Sequence, residues 1–403
     1  MDLADWLDEH SEGCFWYVKR LSGNDTLANG SHQAGPYVPK RVFFRLFPSL
    51  EKHTHANAKA EIELSVDSHP DVRRVTATWY NNKYWKVPKP KRPRDETRLT
   101  NFGGASSAIL DPESTGALAV FAFRFGENGD AETCNVWICR NEVEEDVVER
   151  ETGPVEPGRW TTWPPDGGFL ALLQSAVRAD CRLARQELPP EWLTKFPSGA
   201  EIIQKVIELR PDNELAVDKR LLRRRDCEFE LFQSLEEAVE LPRAQAGFTT
   251  ISDFLAAAQT VLQRRKARSG KSLELHMREI LIEEAFQENR DFTYQPKAGN
   301  NPDFLFPNET AYLDSAYPRQ RVRMLAVKTT LRDRWRQVTE ECADLPTRHL
   351  LTLQEGVSEA QFKLITDAGI RLVVPEGQIS KYSKNIRNHV LTVEAFMADV
   401  RTV

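Results

Sequence analysis

Two short stretches of the chain decide its fold: PDFLFP at residues 302–307 and MLAVKTT at residues 324–330. Each contains a brief apolar run bounded by proline, charged or hydroxyl residues, which is typical of a strand buried on both faces. Asp303 precedes the first run, and Lys328 ends the second run 25 residues later. The two stretches therefore predict neighbouring buried strands that bring an acid and a lysine to one edge of a sheet.

An acid placed one strand before a lysine is the skeleton of the PD-(D/E)xK nuclease site, in which the carboxylate binds Mg²⁺ and the lysine orients the attacking water. A second acid normally stands two residues before the lysine, but that position is Ala326. Because isolated Pro-Asp and Lys residues occur by chance in long chains, this pair alone does not define a nuclease.

The following helix offers a replacement for the missing carboxylate. An apolar stripe at helical spacing predicts that it packs on the sheet, through Trp335, Val338, Cys342 and Leu345. Glu341 lies about 80° from the centre of that stripe and Glu340 about 180° away. Glu341 is therefore expected to reach the strand end and Glu340 to face solvent. An ordinary surface ion-pair face that includes Arg334 remains the alternative.

Outward from this region, the two halves of the chain have different patterns. In the carboxy-terminal half, further apolar runs at 350–353 and 371–374 alternate with helical stretches, which predicts an α/β domain. The first 140 residues show alternating, aromatic-rich segments typical of an all-β barrel or sandwich. These predicted strands are 15–18, 42–44, 61–66, 74–80, 117–125 and 135–139.

A proline-rich region separates the two patterns. Prolines at 154, 157, 164, 165, 189, 190 and 197, with Gly167-Gly168, predict a linker at 166–197 that includes one short helix near 169–183. The predicted domains are accordingly residues 1–165 and 198–403, so the fold class is multidomain α+β.

Composition places the chain among ordinary globular proteins. It has 403 residues, 40% hydrophobic and 28% charged, with a net charge of −6. No apolar run approaches the length of a membrane span and no secretory signal opens the chain, so a cytoplasmic protein is expected. Positive charge is clustered at 83–98, 264–271 and 319–323. Separated basic blocks favour local anion-binding surfaces, with nucleic acid as the leading ligand and solvated helix faces as the alternative.

The six cysteines, at 14, 134, 139, 181, 227 and 342, form no CxxC pair. We predict reduced and mostly buried thiols, with neither a disulfide framework nor a zinc site.

Beyond these single features, long collinear motifs resemble the EcoRII family of restriction endonucleases. In the carboxy-terminal half they are 269–276, 302–307, 324–330, 333–337 and 353–358; in the amino-terminal half they are 19–22, 24–26, 32–33, 94–96 and 111–113. The resemblance covers nearly the whole chain.

The resemblance implies a Mg²⁺-dependent type IIE restriction endonuclease of a restriction–modification system. Its amino-terminal domain would be a B3-like pseudobarrel that binds an effector copy of double-stranded DNA. Its carboxy-terminal PD-(D/E)xK domain would form a homodimer and cut a CC...GG site of the CCWGG kind, which a companion DNA methyltransferase would protect. A non-catalytic DNA-binding regulator with a decayed nuclease fold, and a nicking or repair nuclease, remain alternatives.

The resemblance also implies roles for particular residues. Asp303 and Glu341 would be the metal ligands and Lys328 the catalytic lysine, while Glu274 and Tyr312 match further active-site positions. Glu274 has a simpler reading as a helix-dipole glutamate, and Tyr312 as a loop aromatic.

Base recognition is implied for a second group. Arg332, Asp333 and Arg334 match the family's base-reading triplet, with Arg332 in place of the usual lysine. Arginine donates twice to guanine and aspartate accepts from cytosine, so the triplet suits C·G pairs. Arg225 and Phe229 match a pocket for a flipped base; an exposed basic face with Phe229 in the core is the alternative.

The amino-terminal half matches the effector-DNA surface of the family. The matching residues are His32, Gln33, Tyr37, Lys91, Arg94, Glu96 and Arg98. Thr97 replaces a basic residue of the family pattern, and residues 101–104 lose positive charge. Effector affinity or specificity is therefore expected to differ from the family's.

Overall fold

The computed structural model describes residues 2–30, 35–51, 55–84, 93–163, 174–175 (backbone only) and 180–402. The chain divides into two compact units. The first comprises Met1–Ala176 with the short segments Glu355–Gln361 and Lys381–Lys384. The second comprises Val177–Gln354, Phe362–Ser380 and Asn385–Val403. Both units mix helices and strands, which confirms the predicted α+β class at that level.

The first unit is built on an eight-stranded sheet of order β4-β3-β2-β6-β5-β1-β7-β8. Neighbouring strands are antiparallel except β2 and β6, which are parallel. The strands are β1 (Phe15–Arg20), β2 (Lys59–Val66), β3 (Asp71–Tyr80), β4 (Glu96–Thr100), β5 (Leu118–Phe125), β6 (Ala131–Ile138), β7 (Arg159–Trp163) and β8 (Gln174–Ser175). Alternation and aromatic content predicted β1, β2, β3, β5 and β6, and all five are confirmed.

Three helices cover this sheet: α1 (Leu3–Glu9), α2 (Lys40–Leu46) and α3 (Glu142–Thr152). The predicted strand at 42–44 is wrong, because these residues belong to α2. Pro39 precedes the helix, and Val42, Phe43 and Leu46 are buried at helical spacing. A run of three apolar residues fits either a strand or one face of a short helix, so periodicity alone could not separate them.

The second unit contains a five-stranded sheet of order β13-β12-β11-β10-β9. Its strands are β9 (Thr293–Tyr294), β10 (Phe304–Phe306), β11 (Arg323–Val327), β12 (Arg348–Leu351) and β13 (Ile370–Val373). Strands β11, β12 and β13 run parallel, whereas β10 is antiparallel to both of its neighbours. The predicted strands are confirmed, and their continuous apolar runs reflect burial of both faces.

The helices of this unit vary widely in length, and two of them, α9 and α11, begin in short segments that belong to the first unit. They are α4 (Gly199–Leu209), α5 (Val217–Ala246), α6 (Ile251–Glu283), α7 (Glu309–Leu313), α8 (Arg334–Val338), α9 (Glu359–Asp367), α10 (Glu376–Ile379), α11 (Lys384–Arg387) and α12 (Val393–Val400). One core joins residues of α5, α6 and α12 to the sheet, including Leu221, Met277, Phe304 and Phe396. Among the described residues, no helix is long and apolar enough to cross a membrane.

Asp218, at the start of α5, ties this helix to distant parts of the same unit. Its carboxylate accepts hydrogen bonds from the backbone N–H groups of Glu376, at 2.9 Å, and of Val393 and Glu394, both at 3.0 Å. These groups open α10 and α12, so one buried acid caps the first turns of two helices.

The structure differs from two predictions, one about the cysteines and one about residues 166–197. Cys181 forms a disulfide with Cys227, so the prediction of reduced thiols is wrong for this pair. The fold brings together residues 46 positions apart, which no spacing motif could show. Leu188 and Trp192 pack in the same core as Cys181 and α5, so the later part of the predicted linker is a packed segment. Most of the predicted helix near 169–183 lies outside the described residues.

Candidate functional site

Pairing of β10 with β11 brings Asp303 and Lys328 together. Phe304 lies opposite Leu325 in the antiparallel register, which places Asp303 beside the end of β11. The Asp303 carboxylate accepts a hydrogen bond from Val327 N at 2.7 Å, and Lys328 Nζ lies 3.6 Å from Asp303 Oδ2. Lys328 N also donates to Leu351 O at 2.9 Å, which fixes the lysine backbone to β12.

Glu341 is the second carboxylate close to Lys328. Its Oε1 lies 3.8 Å from Lys328 Nζ, and its side chain is buried whereas Glu340 is exposed. The predicted difference between the two glutamates is thus confirmed, but the predicted helix around them is wrong. Helix α8 ends at Val338, and residues 339–344 form successive turns. Glu341 therefore reaches the strand end from a turn and not from a helix face.

Glu274, on α6, joins the cluster through side chains that the sequence did not single out as site residues. Lys271 Nζ lies 2.9 Å from Glu274 Oε2, and Gln295 Nε2 and Tyr294 OH donate to the same oxygen at 3.2 and 3.4 Å. The i,i+3 spacing of Lys271 and Glu274 is a signal that sequence could have supplied. Gln295 offers no such signal, because its approach depends on β9 pairing with β10.

Burial is the largest electrostatic effect on the carboxylates of the cluster. Burial raises the pKa of Glu341 to about 7, and Asp303 and Glu274 reinforce this rise against the opposing effect of Lys328. Burial likewise raises the pKa of Asp303, where Lys328 opposes the shift and Glu274 adds to it. Glu341 Oε2 is buried and has no hydrogen-bond partner within the protein. Three carboxylates thus share two lysines, and the crowding of acids favours binding of a proton or of an added cation.

These residues fit a divalent cation of the magnesium type. Within the described ranges, no three Asp, Glu, His or Cys side chains are grouped so as to enclose a metal ion. Magnesium in nucleotide-cleaving sites is generally held by one or two carboxylates, with water and phosphate oxygens completing its octahedron. Asp303 and Glu341 supply hard oxygen donors, and the unpartnered Glu341 Oε2 is available to a ligand that is not part of the protein.

Tyr312 lies beside the turn that carries Glu341. Its hydroxyl donates to Asp344 Oδ1 at 2.6 Å, and the Arg319 guanidinium covers its ring at 4.9 Å. The hydroxyl is thus bonded to a residue beyond Glu341, three positions further along the chain.

The triplet Arg332–Arg334 forms the entrance to α8. All three side chains are half-buried, and Arg332 adopts a left-handed backbone with φ of 24°. The preceding Leu331 N donates to the buried Gln354 side chain at 2.8 Å. Asp333 pairs with Arg336 at 3.3 Å. The triplet is therefore presented on a loop anchored to the residues that follow β12.

Arg225 and Phe229 are both buried between α5 and α6. Arg225 donates to Ser272 Oγ at 2.7 Å, and Ser272 in turn bonds the Glu228 carboxylate. The Arg268 guanidinium lies 5.3 Å from the centre of the Phe229 ring. Phe229 thus sits in the core, as the alternative interpretation expected, while Arg225 does not form the exposed basic face of that alternative. The flipped-base pocket stays a prediction.

The effector residues within the described ranges lie on or near β4. Arg98 donates to Gly35 O at 2.9 Å and its Nε lies 3.6 Å from Glu96 Oε2. Tyr37 N donates to the buried Asp25 at 2.9 Å, and Arg94 covers the Tyr80 ring at 5.8 Å. His32, Gln33 and Lys91 lie outside the described residues.

Thr97 has a different surrounding from the one that the family pattern suggests. Its side chain is completely buried and its hydroxyl bonds to Val38 O. Its neighbours Glu96 and Arg98 are partly exposed, so Thr97 faces the interior of this unit and they face outward. The effect of Thr97 on effector DNA stays a prediction.

Comparison with known proteins gives two domain matches and one relative that matches over nearly the whole chain. Residues 10–167 match the family model for the amino-terminal domain of restriction endonuclease EcoRII, and residues 232–397 match the model for the EcoRII carboxy-terminal domain. The chain is 40% identical to the type II restriction enzyme EcoRII of Escherichia coli over 405 residues, covering 98% of this chain and 96% of that one. It is 27% identical to the type II restriction enzyme SsoII of Shigella sonnei over 141 residues, 33% of this chain and 45% of that one.

Two solved structures have a distant likeness to the chain. A metal-depleted Ecl18kI complex with uncleaved, modified DNA matches 55% of this chain and 85% of its own at 17% identity, with a TM-score of 0.42. A PspGI complex with substrate DNA matches 52% and 93% at 17% identity, also with a TM-score of 0.42. Neither likeness is close enough to assign a residue or a step.

Proposed function

The chain belongs to the EcoRII family and is a type II restriction endonuclease, and from this premise we propose that it is a Mg²⁺-dependent enzyme of the type IIE class. It would hydrolyse double-stranded DNA at a CC...GG site of the CCWGG kind. The observation that carries the proposal is the convergence of Asp303, Lys328 and Glu341, with Lys328 Nζ within 4 Å of both carboxylates. A carboxylate pair around one ammonium is what a PD-(D/E)xK site requires, although the second acid comes from an unusual position.

Each residue has a distinct part in the proposed chemistry. Asp303 and Glu341 would hold Mg²⁺, which when bound supplies positive charge for the developing phosphorane and the leaving oxygen. Lys328, held by the two carboxylates, would orient the attacking water in line with the scissile bond and offset the negative charge that develops on phosphorus. Glu274, bonded to Lys271 and Gln295, would add a third carboxylate beside the proposed metal site.

Sequence recognition would depend on the loop that opens α8. Arg334 and Arg332 can donate to guanine O6 and N7, and Asp333 can accept from cytosine N4, which together read outer C·G pairs. The central base would be flipped and stacked between Arg225 and Phe229. Since both are buried in this state, DNA binding would have to open the α5–α6 contact around Ser272.

The amino-terminal unit would be a B3-like module that binds a second DNA copy and activates cleavage. Glu96 and Arg98 alternate along β4 and Arg94 precedes it, so these side chains lie on one side of an extended segment. An effector can activate only if it binds the competent state more tightly than the inactive one. The enzyme is further proposed to act as a homodimer, with a companion methyltransferase protecting host sites.

A non-catalytic regulator is the second candidate function. Decay of a nuclease site removes the selection that keeps its charged residues together. The close grouping of Asp303, Lys328 and Glu341, together with the unpartnered oxygen of Glu341, favours an active enzyme over this alternative.

The decisive experiment is digestion of a fully sequenced, unmethylated plasmid with Mg²⁺, followed by mapping of every end. We expect cuts confined to CCWGG-like sites and their loss when Mg²⁺ is chelated. A single-site plasmid should be cut slowly and faster when a short duplex with the site is added. Binding without cutting at any Mg²⁺ concentration would support the regulator instead.

A further inference from the structure

Glu341 lies in a turn that follows α8, so the geometry of the helix does not fix its position. The helix ends at Val338, and the chain then turns continuously to residue 344. Cys342, next to Glu341, has a left-handed backbone with φ of 44°. For a residue with a side chain this conformation costs about 1–3 kcal/mol and persists only where the surroundings impose it. Something other than helical geometry must therefore hold the turn.

On one side, the turn is held by Gly299. Cys342 N donates to Gly299 O at 2.8 Å, and the Cys342 thiol lies 3.7 Å from the same oxygen. Gly299 itself has φ of 70°, and a Cβ added to it would lie 2.5 Å from Cys342 Sγ. Only glycine therefore allows the two left-handed residues to approach this closely.

On the other side, the turn is held by α7. Tyr312 OH donates to Asp344 Oδ1 at 2.6 Å, while Arg319 Nε lies 3.3 Å from Asp344 Oδ2. The Tyr312 ring also backs Gly299, since an added Cβ there would lie 3.3 Å from the ring carbons. The Arg319 pair is well exposed and contributes little by itself. The tyrosine hydrogen bond is the directional contact.

We propose that Gly299, Tyr312 and Asp344 are positioning residues that hold the 339–344 turn so that the Glu341 carboxylate faces Lys328 and Asp303. The proposal rests on the function proposed above and adds a role for residues outside the carboxylate cluster. It gives Tyr312 a part in cleavage that acts through Asp344 and not through contact with substrate. It also explains how an acid beyond the end of a short helix can replace one that normally stands on the strand.

The test compares full-length variants of Gly299, Tyr312 and Asp344, which together are called the clamp. Gly299→Ala should lower kcat by about 100-fold, because a shift near 1 Å at a reacting group has an effect of that size. Tyr312→Phe and Asp344→Ala should each lower it by about 10-fold through loss of one charge-assisted hydrogen bond. Asp344→Asn keeps an oxygen that accepts from Tyr312 and should retain most activity. The KM for DNA should be unchanged in all of them.

A second measurement separates positioning from general damage. Binding of Mn²⁺ to the DNA-free protein, followed by electron paramagnetic resonance, should weaken in Gly299→Ala and Tyr312→Phe in parallel with kcat. Glu340→Gln is the matched control, because Glu340 is an exposed glutamate of the same turn. It should match the parent in both assays. Metal-independent binding of specific DNA reports whether each variant is folded.

Several outcomes would overturn the proposal. Parental kcat and Mn²⁺ affinity in Tyr312→Phe, together with an inactive Glu341→Ala, would show that the clamp does not position the carboxylate. Loss of cutting in Tyr312→Phe with unchanged Mn²⁺ binding would make Tyr312 a catalytic residue. Should Gly299→Ala fail to fold, Tyr312→Phe decides. Normal cutting by Glu341→Ala would instead refute the site assignment beneath the proposal.

Discussion

Glu228 and Glu341 are both buried carboxylates of the second unit, exposed by 2% and 7%, yet their pKa values are displaced in opposite directions. Burial disfavours the charge of each. At Glu228 that effect is overcome by Arg268 and His276, and the pKa falls to about 2. At Glu341 a single lysine is shared with Asp303, and the pKa rises to about 7.

The two carboxylates differ in the charged groups around them and not in how far they are buried. Around Glu228 the fold supplies Arg268 at 3.5 Å and His276 at 3.4 Å, and Ser272 links the carboxylate to Arg225. Around Glu341 it supplies other acids and leaves one oxygen without a partner. The charge of Glu228 is thus stabilised by cations within the protein, whereas the surroundings of Glu341 favour an added proton or cation. This difference is what the assignment of Glu341 to a metal site predicts.

The largest expected effect is on cleavage. Replacing Asp303, Lys328 or Glu341 with alanine should reduce the single-turnover cleavage rate about 10³-fold or more, because each removes charge aimed at the transition state. Specific DNA binding without metal should change little. Gel-based cleavage and binding assays measure the two separately, with Glu340→Ala as a control that should remain fully active. Normal cutting by Glu341→Ala would mean that Glu341, like Glu228, is not part of the cleavage site.

The free energy of unfolding should show the reverse order, with a larger loss in Glu228→Ala than in Glu341→Ala. Glu228→Ala leaves Arg268 and Arg225 buried without their shared acid, and loss of one partner from such a cluster costs about 3–5 kcal/mol. Glu341→Ala relieves repulsion and should cost far less in the metal-free protein. Denaturant unfolding of both variants, alongside the parent, measures the difference. Equal losses of unfolding free energy would mean that the two acids have the same structural role.

Arg334 lies on the same segment as Glu341 but should affect binding specificity alone. A bidentate arginine–guanine contact contributes roughly 1–3 kcal/mol of discrimination. Arg334→Ala should weaken binding to the cognate duplex by that amount and to a mismatched duplex much less, at one fixed salt concentration. Equal losses on both duplexes would identify a phosphate contact. A changed unfolding midpoint would extend the charge-balance argument to this residue.

The remaining expected effect is a pH dependence of metal-free stability. The pKa of Glu341 is about 7 in the folded protein, above the ordinary value for glutamate, so the folded state binds this proton more tightly. Its contribution is therefore fully present at low pH and is lost as pH rises from the ordinary glutamate pKa through about 7. A rise from the ordinary glutamate pKa to about 7 corresponds to a change of about 3 kcal/mol. Glu341→Gln should flatten the curve of unfolding free energy against pH; an unchanged curve would assign the slope elsewhere.

Much of the site could be predicted from the chain because local patterns encode it. The apolar run after Asp303 and the apolar run before Lys328 predicted the two strands. The helical wheel predicted that Glu341 is buried and Glu340 exposed. The same wheel overextended the helix, since it could not sense that Cys342 takes a left-handed backbone to meet Gly299. Contacts between distant segments, such as Glu228 with His276 or Cys181 with Cys227, depend on how α5 packs, which no local pattern reports.

The contacts of Asp218 determine when the second unit can fold during synthesis of the chain. Its carboxylate is buried and is satisfied by backbone groups 158 to 176 residues further along the chain. The core around it also needs Phe396 and Met397 of α12. A growing chain therefore cannot complete the second unit until α12 has left the ribosome. A chain that stops before α12 therefore lacks part of this core and leaves the Asp218 carboxylate without two of its three backbone hydrogen bonds.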